Sequence, residues 1–336
     1  MGNDTIIKEL NYKNNISSLK SFSPLITHNR FCLFHSINDI YYLIYPTIDK
    51  SIILYDIIKK QLINEIKNPH KERIIIIQHC LDTFNNRDLI LTLTEFSCEI
   101  KIWDIKNCEC ILNLVKVNKS SCLFSACFLN DFNQIYVITT NYGNKDNNNE
   151  PDKIRIFDLN GNIKKEINDS IYDKICFIDN YYDKKLSTIY IITGNIDYIK
   201  SYNYNSNNKL YRKYCYKKGI AHNYIIIYDK DKIIKLIDSG NENTVRIWNF
   251  HSGKLLYKIK VFQRELFSLC LYDDDNIIVG SEDGNIYMIN IKYRKVIGKL
   301  SGDKNRILNV KKISSQKYGD FIISDGFELN IWQSSN

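Results

Sequence analysis

The side chains that could ligate a metal ion are the histidines and cysteines, and neither type is spaced for that chemistry. The six histidines include no His-Glu-x-x-His motif, and none is spaced with Cys as a zinc site needs. They are His28, His35, His70, His79, His222 and His251. Cys108 and Cys110 are too close together for a four-cysteine zinc site, and no second pair occurs. His79-Cys80 ends an apolar strand, where we interpret it as a packed core pair. The sequence therefore predicts no metal site.

Catalytic nucleophiles and phosphate-binding loops also depend on motifs that the chain lacks. Its 13 Gly form neither G-x-G-x-x-G nor a Walker pattern, and Gly-x-Ser-x-Gly is absent. Glu282-Asp283 could serve as a paired acid and base. The same kind of turn recurs at Asp238-Ser239-Gly240-Asn241 and at Ser324-Asp325-Gly326, which favours a structural role for the pair. We therefore expect a protein that is not an enzyme and has no cofactor.

The charge balance narrows the classes of partner. The formal net charge is +8, from 46 basic and 38 acidic residues. No run of five Lys or Arg occurs, and Lys217-Lys218 is only a pair, so nucleic acid is disfavoured as a partner. A mild positive charge favours association with acidic partners.

The N-terminus and the apolar stretches give an expectation for location. The segment from Met1 to Ile6 lacks the apolar region of a signal peptide. No apolar stretch approaches the roughly 18 residues that a transmembrane segment needs. Ten Cys without a secretory signal predict reduced thiols. We expect the cytoplasm, with the nucleus as the alternative.

A repeat must position whatever surface remains. The chain has 44 % hydrophobic residues, with 24 Tyr, 15 Phe and only 4 Pro, a composition that favours strands. Seven short alternating runs end in an aromatic or apolar residue followed by Asp, Asn or Gln, at spacings of 48, 54, 45, 46, 41 and 43 residues. These signature pairs are Tyr55-Asp56, Trp103-Asp104, Phe157-Asp158, Tyr202-Asn203, Trp248-Asn249, Ile289-Asn290 and Trp332-Gln333. Because they recur at repeat positions, we interpret them as structural.

A further strand follows each of the first six signature pairs after a polar turn. The predicted strands are Gln61 to Lys67, Glu109 to Lys116, Asn162 to Ile167, Lys209 to Tyr214, Lys254 to Ile259 and Lys295 to Leu300. The seventh unit has no such strand after Trp332, whereas Thr5 to Leu10 has the same pattern. We predict that this N-terminal strand completes and closes the last sheet, which would cover an exposed edge.

With these repeats, the chain resembles the WD40-repeat family over essentially its whole length. The best matches are Ile100 to Asp104 and Val245 to Asn249 with Ser252-Gly253-Lys254. The resemblance implies an all-β, seven-bladed β-propeller of four-stranded blades, and we predict one domain over 1–336 with an Asn-rich loop at 141–152. The Gly-His pair of the family is absent. We therefore expect its Trp–Ser–His–Asp hydrogen-bond network to be incomplete in every blade.

The resemblance also implies a non-catalytic scaffold or adaptor that docks peptide segments on the loops of one face. Arg and aromatic side chains most often anchor interfaces. The candidate partner-binding residues in these loops are Arg73, Phe96, Tyr142, Tyr198, Lys217, Lys218, Phe262, Arg264, Arg306 and Phe327. We expect other proteins as partners, with acidic or phosphorylated segments, and a propeller that is monomeric within a hetero-complex.

Two alternatives stay open. The basic loops could bind phosphoinositide or RNA, although Phe262-Gln263-Arg264-Glu265 departs from the Phe-Arg-Arg-Gly type of lipid motif. The chain could also be the propeller of a larger signalling or ubiquitin-ligase assembly. In a ligase adaptor an Arg would stand two positions after Asp104, where this chain has Lys106.

Overall fold

The computed structural model describes most of the chain, in segments separated by gaps. The described residues are 8–9, 12–14, 31–47, 49–95, 99–114, 122–142, 153–168, 175, 177–195, 197–206, 209–215, 222–229, 233–240, 243–261, 265–301, 306–326 and 329–334. The chain divides into two compact units, one of residues 29–221 and one of residues 1–28 with 222–336. Each unit is described by itself, and the single domain over 1–336 stays a prediction.

The unit of residues 29–221 contains four antiparallel sheets, blades 1 to 4, each with strands a, b, c and d in chain order. Blade 1 has β3 (Cys32–His35), β4 (Tyr41–Pro46), β5 (Ile52–Asp56) and β6 (Gln61–Ile66). Blade 2 has β7 (Ile74–Asp82), β8 (Arg87–Thr94), β9 (Ile100–Asp104) and β10 (Glu109–Leu114). Blade 3 has β11 (Cys122–Asn130), β12 (Ile135–Tyr142), β13 (Lys153–Asp158) and β14 (Ile163–Asn168). Blade 4 has β15 (Phe177–Asp183), β16 (Thr188–Gly194), β17 (Tyr198–Asn203) and β18 (Lys209–Cys215).

The other unit contains blades 5 to 7. Blade 5 has β19 (His222–Tyr228), β20 (Lys235–Gly240), β21 (Thr244–Asn249) and β22 (Leu255–Lys260). Blade 6 has β23 (Leu266–Leu271), β24 (Asn276–Ser281), β25 (Asn285–Asn290) and β26 (Lys295–Ser301). Blade 7 has β27 (Asn309–Ser315), β28 (Gly319–Asp325) and β29 (Leu329–Ser334). The expectation of an all-β, seven-bladed β-propeller is confirmed.

The N-terminal segment supplies the fourth strand of blade 7, but not with the residues that the sequence pattern indicated. Strand β2 (Tyr12–Asn14) pairs antiparallel with β29, whereas β1 (Lys8–Glu9) pairs parallel with β26 of blade 6. The prediction of Thr5 to Leu10 as the closing strand of the last blade was therefore wrong in its residues. The apolar pattern of a segment marks it as a strand, but chain direction and hydrogen-bond register select its partner.

The signature pairs all lie at or near the ends of c strands, and the six predicted following strands are the d strands. Their observed bounds agree with the prediction to within two residues. In each of blades 1 to 6 the c–d pairing shifts register beside the signature aromatic or apolar residue, as at Tyr55 and Trp248. An irregularity of this kind bends and twists the sheet edge at a repeated position. The Asn-rich loop lies outside the described residues from 143 to 152.

The hydrophobic core of each unit lies between neighbouring sheets. Alternate residues of β8 pack in opposite directions: Ile90 joins a cluster with blade 1, and Leu89 and Leu91 join a cluster with blade 3. In the other unit, β24 likewise sends Ile277 to a cluster with blade 5 and Ile278 to one with blade 7. Both faces of these strands are therefore buried, which explains their nearly continuous apolar runs. The burial of each such side chain stabilises the folded state by about 1.5–3 kcal/mol.

The described residues include no helix with the length and hydrophobicity of a membrane span.

Candidate functional site

Antiparallel pairing gives each blade two ends with different connections. We call the end with the b–c turns and the segments leading into the a strands the BC face, and the end with the a–b and c–d turns the AB face. The ten predicted partner-binding residues belong to sequence segments that are expected to form loops at the BC face. Arg73, Tyr198 and Arg306 are described, and Tyr142 is described only as the last residue of β12. The other predicted residues, outside the described segments, are Phe96, Lys217, Lys218, Phe262, Arg264 and Phe327.

Arg73 lies directly before β7 and is held against the b–c turn of its own blade. The backbone N–H of Glu95 donates to the carbonyl of Arg73 at 3.1 Å. The guanidinium in turn donates from Nε to Glu95 Oε2 at 3.0 Å and from Nη2 to the same oxygen. The Arg73 side chain is 32 % exposed, so this is a fixed but accessible ion pair.

The same face connects blade 1 to blade 2. The Lys50 ammonium, from the b–c turn of blade 1, donates to the carbonyl of Lys71 at 2.6 Å. Lys71 stands two residues before Arg73. The contact places Lys50 and Arg73 near each other at the BC face, with Glu95 as the adjacent carboxylate.

Tyr198 begins β17 and is buried, so its ring packs in the blade and is not presented to solvent. The ammonium groups of Lys213 and Lys200 lie 3.6 Å and 4.7 Å from its ring centroid. Lys200 is itself buried. These cation–π contacts stabilise the c–d edge of blade 4. The prediction that Tyr198 anchors a partner stays a prediction.

Arg306 leads into blade 7 beside the b–c turn of blade 6. The N–H of Ile307 donates to the carbonyl of Ser281 at 2.9 Å, and the Arg306 guanidinium lies 5.8 Å from the Phe267 ring. The N–H of Glu282 donates to the carbonyl of Glu265 at 2.9 Å, which sets two glutamates beside this segment. In each unit, the BC ends of the blades therefore carry carboxylates among their basic residues.

Asp283, one of the two carboxylates considered for acid–base chemistry, is committed to the turn. Its Oδ2 accepts from the Tyr287 hydroxyl at 2.6 Å, and its Oδ1 accepts from the backbone N–H of Asn285 at 3.2 Å. Burial alone would raise the pKa of Asp283, but hydrogen bonds from Tyr287 and Asn285 lower it. These contacts agree with the structural role predicted for the pair.

The expectation that no blade completes the family's hydrogen-bond network is wrong for blade 2. The indole N–H of Trp103 donates to Thr92 Oγ1 at 2.9 Å. Thr92 Oγ1 lies 2.7 Å from His70 Nε2, and His70 Nδ1 lies 2.7 Å from Glu99 Oε2. Burial lowers the pKa of His70, although Glu99 opposes the shift. A neutral His70 therefore donates from Nδ1 to Glu99 and accepts the Thr92 hydroxyl proton at Nε2.

The sequence signal for this network lies in strand register. The b-strand residue opposite each signature Trp is followed two positions later by an oxygen-bearing side chain that accepts the indole proton. Trp103, Trp248 and Trp332 donate to Thr92, Asp238 and Ser324 at 2.9, 2.8 and 3.0 Å. The residue before His70 is Pro69, where the family has Gly, so the Gly-His pattern does not identify His70 in the sequence. All three acceptors are buried.

His79, considered with Cys80 as a metal candidate, is held by a carboxylate and an aromatic ring. His79 Nε2 lies 2.7 Å from Asp88 Oδ1, and its ring stacks on Phe34 at 3.6 Å between centroids. Within the described segments, no group of three or more His, Cys, Asp or Glu is arranged to hold a metal ion. The predicted absence of metal, cofactor and catalysis stays a prediction.

Comparison with known proteins finds similarity to a WD-repeat protein over part of the chain. No protein-family model matches the chain. Over 106 residues the chain is 34 % identical to the WD repeat domain-containing protein 83 homolog of Dictyostelium discoideum. This match covers 31 % of the chain and only 30 % of that relative. The relative carries the same repeat type that the signature pairs and the four-stranded blades indicate.

Proposed function

We propose that this chain, a seven-bladed β-propeller of the WD-repeat type, is a non-catalytic scaffold or adaptor of a larger complex. The observation that carries the proposal is that titratable side chains of the chain are engaged in structural hydrogen bonds. His70, His79, Asp158 and Asp283 are tied into hydrogen bonds that hold blades or turns. A catalytic acid or base must instead reach a substrate.

The BC face is the surface on which we place partner docking. Arg73 uses Nε and Nη2 for Glu95, and within the described residues its Nη1 makes no hydrogen bond. Lys50 adds a second positive charge nearby. A carboxylate or phosphate of a partner segment could bind Arg73 from the solvent side while Glu95 fixes the guanidinium. Acidic or phosphorylated peptide segments are the proposed partners, bound to a monomeric propeller within a hetero-complex.

Charge reversal tests this docking. The variant Arg73→Glu with Arg264→Glu and Arg306→Glu alters three predicted anchors and changes the formal charge by six. A matched control, Lys209→Glu with Lys254→Glu and Lys292→Glu, makes the same change at exposed sites away from the BC face. Affinity purification with mass spectrometry is expected to lose a protein partner with the first variant only. Equal partner recovery from both variants would refute the proposal.

The same material separates the two alternatives. An RNA or phosphoinositide ligand would use basic loops including Lys217 and Lys218, and its binding would fall steeply with salt. An assembly such as a signalling or ubiquitin-ligase complex would copurify with its other subunits. Location in the cytoplasm or nucleus is part of the proposal, and fluorescence microscopy of the tagged chain tests it.

A further inference from the structure

Every a–b turn of blades 1 to 4 exposes one large apolar side chain. Ile37 in blade 1 is 38 % exposed, Phe84 in blade 2 is 51 %, Phe132 in blade 3 is 58 % and Leu186 in blade 4 is 55 %. A single exposed apolar residue is ordinary, but one at the same turn of four successive blades is a repeated feature of this unit. The four belong to the AB face and not to the BC face.

Contacts between neighbouring blades place these turns at one end of the unit. The backbone N–H of Ile37 donates to Asp88 Oδ2, at the start of β8, over 3.2 Å. Leu89 and Ile135, just after the turns of blades 2 and 3, share one core cluster. The Phe132 ring lies 4.4 Å from the ring of Tyr182, at the end of β15 in blade 4. The four side chains therefore form an arc along one edge of the unit.

Lysines accompany the apolar side chains. Within the described part of the unit, five exposed lysines of the a–b and c–d turns make no ion pair: Lys59, Lys60, Lys106, Lys184 and Lys185.

Two of the acidic side chains at these turns are directed inward. Asp56 Oδ1 accepts from the N–H groups of Ile58 and Lys59, and Asp183 Oδ1 accepts from those of Lys185 and Leu186. Such carboxylates cap turns and are not presented to a partner. Asp39, whose side chain is 91 % exposed beside His35, and Glu109 are exposed carboxylates of this face. The five lysines outnumber them, so the exposed charge of the AB face in this unit is positive on balance.

Phe132 shows that the turn sequence is not optimised for the turn alone. Its φ is +70°, in the left-handed region that Asn or Gly adopts at little cost. The equivalent turns of blades 1 and 2 place Asp39 and Asn86 at positive φ and keep their apolar residues elsewhere. In blade 3 the chain accepts the strained backbone and exposes a Phe at that position.

The spacing of the apolar side chains selects the kind of surface that covers them. Each stands alone at a turn among polar neighbours, such as Asn85 and Asn133, so the face has projecting apolar tips and not a continuous groove. A protein segment binds best to a connected apolar core. A lipid surface accepts separate tips at the depth of its headgroups, with lysines held at the same level. We propose that the AB face of blades 1 to 4 binds an anionic lipid surface, inserting Ile37, Phe84, Phe132 and Leu186 between headgroups.

Vesicle co-sedimentation of the full chain tests the proposal. The probes are phosphatidylcholine vesicles and phosphatidylcholine vesicles with about 30 mol% phosphatidylserine, a charge density that attracts lysines. We expect binding to the second kind only, weakening as the NaCl concentration rises.

Two variants and their controls locate the contact. Phe84→Ser with Phe132→Asn and Leu186→Ser should lower the partition coefficient by about tenfold or more, because three inserting side chains are lost. Asn suits the positive φ at 132, so the fold is preserved. The control Leu62→Ser with Leu210→Ser removes aliphatic side chains that are 56 % and 53 % exposed on d strands, and should bind as wild type. Lys184→Glu with Lys185→Glu should also lower binding about tenfold, and Lys254→Glu with Lys292→Glu should not.

Three results would overturn the proposal. One is that wild type ignores phosphatidylserine vesicles, and another is that turn and control variants bind equally. The third is that the turn variants lose a copurifying protein while wild type fails to bind vesicles, which would make the AB face a protein interface. None of these results bears on docking at the BC face, which lies at the other end of the blades.

Discussion

Replacing Thr92 by Val removes one oxygen from the centre of the blade 2 network and leaves the side-chain shape almost unchanged. In the wild type, Thr92 Oγ1 accepts the indole proton of Trp103 at 2.9 Å and donates to His70 Nε2 at 2.7 Å. All three side chains are buried. In Thr92→Val the Trp103 N–H and the His70 Nε2 therefore both lose their partner without access to water.

The size of the effect follows from these two orphaned groups. Leaving one buried polar group without a partner costs about 1–3 kcal/mol. A new methyl group in place of the hydroxyl recovers part of this loss. We expect the free energy of unfolding to fall by about 2–4 kcal/mol.

Thr139 provides a matched control, because it occupies the same b-strand position in blade 3. On the adjacent c strand of blade 3, Phe157 occupies the position that Trp103 has in blade 2, and its side chain has no N–H. Within the described residues, the buried Thr139 hydroxyl has no hydrogen-bond partner. Thr139→Val should therefore leave stability unchanged or raise it by about 1 kcal/mol, since it removes an unsatisfied polar group.

Urea unfolding followed by tryptophan fluorescence and circular dichroism measures both variants. The midpoint should fall for Thr92→Val and hold or rise for Thr139→Val, with the denaturant slope unchanged. Equal destabilisation by the two substitutions would refute the reasoning, because it would mean that the lost hydroxyl and not the network sets the cost.

Three further predictions concern single sites. Gly280→Ala should destabilise the protein by about 1–3 kcal/mol in urea unfolding, because a Cβ there would lie 2.9 Å from the carbonyl oxygen of Ile307; an unchanged midpoint would contradict this. Burial lowers the pKa of His70 below 6.5, so the unfolded chain binds more protons than the folded chain between the lowered pKa and pH 6.5. The contribution of His70 to stability is therefore fully present above pH 6.5 and is lost as pH falls from 6.5 to the lowered pKa. His70→Gln should flatten this part of a pH series of unfolding curves. Burial would raise the pKa of Asp158, but hydrogen bonds from Asn162, Lys164 and Asn160 lower it to about 2. Its contribution is present above pH 3.8 and lost as pH falls toward 2, so Asp158→Asn should cost stability at pH 5 and nothing below about pH 2.

The repeat could be predicted from the sequence because it is written in short-range patterns. The signature pairs mark the ends of c strands, and the turn chemistry after each pair marks the start of the d strands. Asp56, Asp104 and Asp158 accept backbone N–H groups of the following turn, which is why Asp recurs there. These are interactions within about four residues, and a period reveals them.

Features that depend on pairing between distant segments could not be predicted in the same way. The choice of Tyr12–Asn14 as the partner of β29 depends on chain direction and register over the length of the protein. His70 joins Thr92 and Glu99 across 22 and 29 residues, and neither Pro69 nor Glu99 fits the family motif. The BC-face ion pair of Arg73 with Glu95 is likewise formed across 22 residues. A list of basic residues does not show which carboxylates they meet.

The function proposed for the chain rests on which face meets proteins. Site-specific photo-crosslinking in cells measures this directly, with the crosslinking amino acid placed at Asp49 or Glu282 on the BC face and at Thr83 on the AB face; all three are exposed. We predict protein crosslinks of defined mass from Asp49 or Glu282, and none from Thr83. Crosslinks to proteins from Thr83 alone, or from none of the three positions, would contradict the account.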